Sequence, residues 1–575
     1  MIDPAALPPR AARRTRVVRL RGDAVLLILV GAAVAWLALA PLGYLLWRAF
    51  VEDGSLTSRY LREAFGVVGL GRVLGDTAIF AAGSTALGLA LGAALAFLLV
   101  RTDLPWARVL FGAALAPLLL SGVLVTIAWI FLAAPRTGLL NRALEPVFGE
   151  GALDVFGLGG MIVVEALRLA PLALLLTAAA LRLVDPALEA SAVVSGVPRR
   201  VAVRRITLAL VRPALLAAGL LLALRSIEAF EVPMLLGLPA GVWVFTSRIW
   251  LALDRPDGSL GPAAAGAVPL LVLTIMGTVA LAALTRRRRS FETISPRGHR
   301  AERIALGRWR LPALAAVLAY LALAVALPFG ALVWVSTQPF LAGVSGDALA
   351  RANLDGYEEL LRNETTRRSI VNSLTYGVST ATVAVALAAL VAFIAVRTRI
   401  RGRRLLDTFA FLPIAVPGLV LGAGVLFLNL RLPNGVYGTA ALLVIGLVTR
   451  YLPYGVRFAG AGMAQLGREL EEAARVSGVR GRRAFLGVTL PLVAPALLAA
   501  WATVFVLSLH DVSTSLLLYS PGTEVVSVRT WDLYEAGASQ EVAALGVVTG
   551  VAGLALGAAA FALGAGAVRR ARARG

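Results

Sequence analysis

Twelve long apolar runs constrain this chain more than any other feature. They lie roughly at 24–48, 75–100, 107–133, 158–181, 211–236 and 261–284, then at 311–336, 370–396, 405–429, 437–461, 494–518 and 542–567. Crossing a bilayer as a helix takes about 20 mainly apolar residues. Hydrocarbon offers no partner to a bare N–H or C=O, so each run must bond its backbone within itself as a helix. The short alternating segments of a membrane barrel are not seen. The expected fold is an all-α integral membrane protein with about 12 transmembrane helices. Composition agrees: 59% of residues are hydrophobic and 15% charged, against about 25% charged in soluble domains.

Charge then orients the spans. The net charge is +22, and all 55 basic residues are Arg. A basic chain can bind nucleic acid, but these arginines alternate in density from loop to loop. With a cytoplasmic N-terminus, 37 of them fall on the inner side and about 14 on the outer, as the positive-inside rule requires. The expectation is a multi-pass protein of the bacterial inner membrane with both termini cytoplasmic, the lipid bilayer as its solvent and no nucleic acid partner. The first run is too long for the core of a cleaved signal peptide and reads as a retained helix.

Several chemistries are excluded. The absence of Cys removes disulfides and thiolate metal sites. His299 and His510 are far apart in sequence and make no metal constellation. Without Lys there is no Walker A phosphate loop. No resident cofactor or metal is expected, no catalytic residues, and no ATP hydrolysis by this chain.

The chain repeats itself. A basic linker, "TRRRRSFETISPRGHRAERIALGRWR" (Thr285–Arg310), separates two six-helix halves, 1–285 and 311–575, with the linker itself at 286–310. A shift of 282 overlays Leu188–Ala218 on Leu470–Ala500 with 19 of 31 positions identical, and Arg168 on Arg450. A shift of 296 overlays Arg101 on Arg397, Pro117 on Pro413 and Gly122 on Gly418. Six spans separate equivalent points, so the repeats run parallel, related by an axis along the membrane normal.

In each half a charged loop joins spans four and five, at about 186–212 and 468–494. In "LEEAARVSGVRGRRAFLGVTLP" (Leu470–Pro491), acids open a helix, Gly478 suits a left-handed turn that ends it, and a basic stretch leads to Leu490-Pro491, where proline is tolerated in a first helical turn. Taken alone, such a loop is also what an ordinary surface amphipathic helix looks like. The second copy resembles the EAA signature of permease subunits of ATP-binding-cassette importers, in Glu472, Ala473, Ala474, Gly478, Val488, Leu490 and Pro491. The first copy departs: Ala190 takes the place of the first Glu, with Glu189 one position earlier, and Ala209 replaces the Pro, while Gly196 is kept.

The resemblance implies a type I importer permease fold. It implies loops that dock on a dimer of separate ATP-hydrolysing subunits, which would use the ATP. It also implies an extracytoplasmic (periplasmic) substrate-binding protein as partner. Under it, the coupling residues are Glu189, Ser195, Gly196, Glu471, Glu472, Ala473, Ala474, Ser477, Gly478, Leu490 and Pro491. "SIEAFEVPMLLGLPAGVWVFTSRIW" (Ser226–Trp250) and "LLLYSPGTEVVSVRTWDLYEAG" (Leu516–Gly537) resemble the fused twelve-span permeases of iron(III)-type importers, whose relatives carry thiamine, phosphonates, polyamines or sulfate. A 6+6 secondary transporter is the alternative, but its loop signature between spans two and three fits "RTDLPWAR" poorly.

Charges inside spans default to functional candidates. Arg225, Glu228 and Glu231 fall in the fifth run, and the repeat places His510 and Asp511 at the same depth. Glu165, Arg168 and Arg450 join them. They line an ionic path, form structural ion pairs, or sit hydrated near the surface. Pro117, Pro413 and Pro417, inside spans three and nine, read as kinks or as tolerated packing.

Overall fold

A computed structural model describes residues 21–66, 68–253, 260–288, 303–398, 400–467, 469, 487 and 489–555. Among them, nine helices are long and apolar enough to cross a membrane, and three further helix pairs are bent by 98°, 88° and 110°. Among the described residues, eleven of the twelve runs correspond to crossings, two of them bent; the twelfth is described as Ser539–Ala555.

The two bent crossings are spans three and nine. Span three consists of Ala107–Leu119 and Gly122–Ala133, and span nine of Arg403–Ala415 and Gly418–Arg431. Pro117 and Pro413 each stand inside a short 3₁₀ turn just before the break. Proline removes a backbone donor and fixes φ, and the chain turns extended at Leu120 and Ser121 and at Val416 and Pro417 before helix resumes. These prolines therefore mark sharp breaks at the same place in both halves.

The fifth and eleventh runs are shorter than the apolar stretches imply. Span five's helix Leu208–Glu228 stops at Glu228 rather than near 236, and span eleven, Leu490–Leu509, stops well before 518. Each gives way to a re-entrant hairpin, not continued helix. In the first half it runs through Pro233–Ala240 and Phe245–Leu253, two legs bent by 88°. In the second it comprises Ser515–Leu518 and Val526–Glu535. Hydroxyls on the second legs bond the carbonyls exposed where the span ends: Thr246 Oγ1 donates to Ala229 O at 2.7 Å, and Ser527 Oγ to Asp511 O at 2.6 Å. Apolar composition hid these turns because irregular backbone is tolerated at membrane depth when protein buries it.

Small residues let the helices approach. Gly88 and Gly92 of span two (Leu70–Arg101) face Ala166, Ala170 and Ala173 of span four (Leu158–Arg182), and a Cβ on Gly92 would lie 2.7 Å from the Leu174 amide nitrogen. Between spans eight (Glu364–Arg397) and ten (Ala440–Gln465), Gly455 meets the Ala388 methyl in the same way. The halves also clasp each other. Gly424 of span nine lies against the Pro41 carbonyl of span one, and Gly550 of span twelve against Leu120 of span three and Phe329 of span seven.

Candidate functional site

Charged side chains meet midway along the central helices. Arg168 stands ten residues into span four and Arg450 ten residues into span ten, about 15 Å from each helix start at 1.5 Å per residue. Both point at the break in the neighbouring span. A Cβ on Gly122 would lie 3.5 Å from Arg168 Nη1 and 3.5 Å from Glu231 Cδ. A Cβ on Gly418 would lie 2.5 Å from Arg450 Cζ and 2.5 Å from Ser513 Oγ, so a larger residue there would push the Arg450 guanidinium aside. The positive end of a resuming helix repels a guanidinium, and acids compensate on both sides.

The acids differ between the halves. In the first, Glu165 holds Arg168 through two bonds, 2.7 Å to Nη2 and 3.0 Å to Nε, with Glu165 fully buried. In the second, Asp511 pairs with Arg450 Nε at 3.0 Å and accepts the Tyr451 hydroxyl at 2.8 Å. Asp511 also accepts the amide N–H groups of Thr514 (2.9 Å) and Ser515 (3.0 Å), which caps the short helix of its hairpin. Arg225 pairs with Glu228 at 3.6 Å and reaches across to the second half, where it donates to the Tyr454 hydroxyl. Glu231 makes no direct ion pair, and the half-buried His510 side chain makes no hydrogen bond among the described residues.

Of the five path candidates, Arg225, Glu228 and Asp511 are thus in ion pairs, and Glu231 sits beside the Arg168 pair. Sequence reasoning placed all of them in or near one depth, but it missed the tyrosines, Tyr451 and Tyr454, that link them. Beside this network an aromatic cluster crosses the boundary between the halves: Phe230 stacks on Trp531 with centroids 5.6 Å apart, and Trp250 packs edge-on to both, at 5.6 and 6.4 Å.

At the other end of the bundle lies the loop between spans four and five. Asp185 caps the helix Pro186–Val194 by accepting the Ala187 amide at 2.9 Å, with Pro186 in the first turn. The helix ends as expected of its copy at Gly478: Gly196 has φ +85°, Gly196 N–H donates to Val193 O and Val197 N–H to Ala192 O, the two bonds of a Schellman turn. Ser195 Oγ donates to Ser191 O. Glu189 faces inward, 5% exposed, whereas Ala190 at the signature position is exposed. Any coupling role for Glu189 therefore acts through its neighbours inside the protein. In the second copy Leu490 begins span eleven with Pro491 in its first turn. Glu471, Glu472, Ala473, Ala474, Ser477 and Gly478 lie outside the described residues.

Residues 384–573 match the family described as the inner membrane component of binding-protein-dependent transport systems. The putrescine transport system permease protein of Escherichia coli is 30% identical over 207 residues, 34% of this chain and 73% of that protein. The chain belongs to this family of permease components. It is accordingly a multi-pass inner membrane protein and a transport subunit. The match to ferric permeases runs across both halves. A putative ferric transport system permease protein of Haemophilus influenzae is 25% identical over 397 residues, 68% of this chain and 62% of the relative. A ferric transport system permease protein of Actinobacillus pleuropneumoniae is 24% identical over 406 residues, 70% and 58%. The chain thus spans about three fifths of the length of these ferric relatives.

Proposed function

We propose that this permease carries ferric iron inward in an ATP-driven importer, receiving it from an extracytoplasmic binding protein. The carrying observation is the likeness to ferric permeases over more than two thirds of the chain, joined to one coupling-type loop per half. A pair of loops suits a two-fold ATPase dimer, and a chain without Lys leaves ATP hydrolysis to that dimer. The loops and both termini face the cytoplasm in this reading, where the arginine excess lies. The re-entrant hairpins then face outward, toward the binding protein.

The mid-membrane network would line the path. Four carboxyl groups, Glu165, Glu228, Glu231 and Asp511, meet three guanidinium groups, which suits a multivalent cation passed between sites rather than held. Glu231, outside the direct ion pairs, and Glu228, in the longest of them, are the groups most free to meet cargo. The Phe230–Trp250–Trp531 cluster would close the path between the halves.

The test is reconstitution in proteoliposomes with the cognate ATPase and secreted binding protein. The expected result is ATP hydrolysis stimulated by loaded binding protein and accumulation of radiolabelled ferric iron. Accumulation of putrescine instead would favour a polyamine importer, the reading that the 30% match supports; uptake without ATP would favour a secondary transporter. The double variant Glu228→Gln, Glu231→Gln is expected to lower iron uptake about tenfold or more, while the yield of folded protein stays near the parent's. Loss of folded protein at unchanged specific uptake would make both groups structural.

A further inference from the structure

The last residue of span two, Arg101, is the largest fully buried side chain of the described core, yet it carries a charge. Its Nη2 lies 2.5 Å from Glu189 Oε1, with side chains 1% and 7% exposed. The same carboxylate oxygen accepts the Thr207 hydroxyl. Thr207 closes a π-turn, Val203–Thr207, at the root of span five. Three elements therefore meet at one carboxylate: the end of span two, the loop helix Pro186–Val194 and the base of span five. The backbone of Arg101 adds a fourth. Ile304 N–H donates to Arg101 O at 2.8 Å and Asp103 N–H to Ile304 O at 3.1 Å, while Asp103 Oδ1 accepts Leu306 N–H at 2.9 Å. That strand-like pairing ties the segment leading into span seven, the start of the second half, to the same point.

The cluster recurs in the sequence. Under the two repeat registers Arg101, Glu189 and Thr207 fall on Arg397, Glu471 and Thr489, with all three residue types unchanged. Thr489 is 1% exposed at the root of span eleven, and Arg397 ends span eight, where its Nη2 donates to the Met463 and Leu466 carbonyls. Glu471 lies outside the described residues.

We propose that Arg101 is a positioning residue which locks the first loop helix to spans two and five, so that displacement of the loop moves those spans as one body. A carboxylate on a solvated loop gains little from a surface ion pair. A buried one cannot leave its guanidinium without stranding a charge. The link is therefore stiff where an exposed pair would slide. It also explains why Glu189 stands one place from the signature position: it faces span two, not the docking partner. This inference rests on the importer reading for its functional consequence, but not for the rigidity of the link.

The chain contains no Cys, so two introduced thiols can be spin-labelled without background. Val194→Cys on the loop helix and Ala94→Cys on the last turns of span two are both exposed sites. In nanodiscs holding the full chain, pulsed dipolar spectroscopy should give a narrow distance distribution. It should be the same without the ATPase dimer and with it in its ATP-free and ATP-bound states. Glu189→Gln and Arg101→Met should each broaden it, and each should lower substrate taken up per ATP hydrolysed about tenfold; Thr207→Val, which keeps the ion pair, should do so less. A parent distance that changes on ATP binding would overturn the proposal, as would variants that keep both the narrow distribution and the uptake ratio. If no ATPase associates at all, the importer reading fails, while the ATPase-free distributions still decide whether the loop helix is locked.

Discussion

Asp511→Leu is expected to abolish recoverable folded protein, whereas Asp511→Leu combined with Arg450→Met restores much of it. The single change strands the Arg450 guanidinium, whose partner at 3.0 Å is lost, and also removes the acceptor for two amide groups of the hairpin. Breaking one side of a buried pair costs about 3–5 kcal/mol, while replacing both sides with apolar groups is often nearly neutral. The double variant still lacks the cap, worth roughly 1 kcal/mol, so recovery should be incomplete. Monodisperse yield in detergent and thermal melting of the purified protein measure both effects. A single variant as stable as the parent would mean that Asp511 serves transport and not the fold. Asp511→Asn separates the two roles, since the amide keeps the capping acceptor but loses the charge.

How much of this was legible in the residues varies with the physics behind each feature. Spans with a full apolar length between charged ends, such as Leu70–Arg101 and Glu364–Arg397, need nothing beyond composition. The repeat register carries further: it pairs Arg168 with Arg450 and Gly122 with Gly418, and the structure puts each arginine against its glycine. Hydropathy failed where apolar residues stop being helical. "VPMLLGLPAG" is as greasy as a span, but its backbone folds back because protein groups satisfy it: Gly157 N–H donates to Leu236 O and Arg72 Nη2 to Gly241 O. The pairing of Arg101 with Glu189 was also hidden, since two residues 88 apart show no local pattern. Ala190 in the signature position was the available clue, because it left Glu189 without an outward role.

The second loop bears the full signature, so its turn is the place to cut coupling. Gly478→Pro is expected to leave ATP hydrolysis in the assembled complex within about twofold of the parent and to lower uptake per ATP about tenfold, a loss of ~1.4 kcal/mol of coupling. The physical reason is visible at the equivalent Gly196, where φ is +85° and the N–H is bonded to Val193 O. Proline holds φ near −65° and has no N–H, so it can make neither the turn nor the bond. Gly478→Ala, which keeps the N–H but strains the left-handed backbone by about 1–2 kcal/mol, should fall between. Glu472→Arg attacks the same step by charge at the signature position and should also uncouple, while the Glu189→Gln change acts from inside the protein. Membrane insertion, read by yield and by protease protection of the outer loops, should match the parent for all three signature-loop variants. Normal uptake per ATP in Gly478→Pro would sink the coupling role of this loop, and with it the main sequence-level reason for expecting an ATPase beneath the permease.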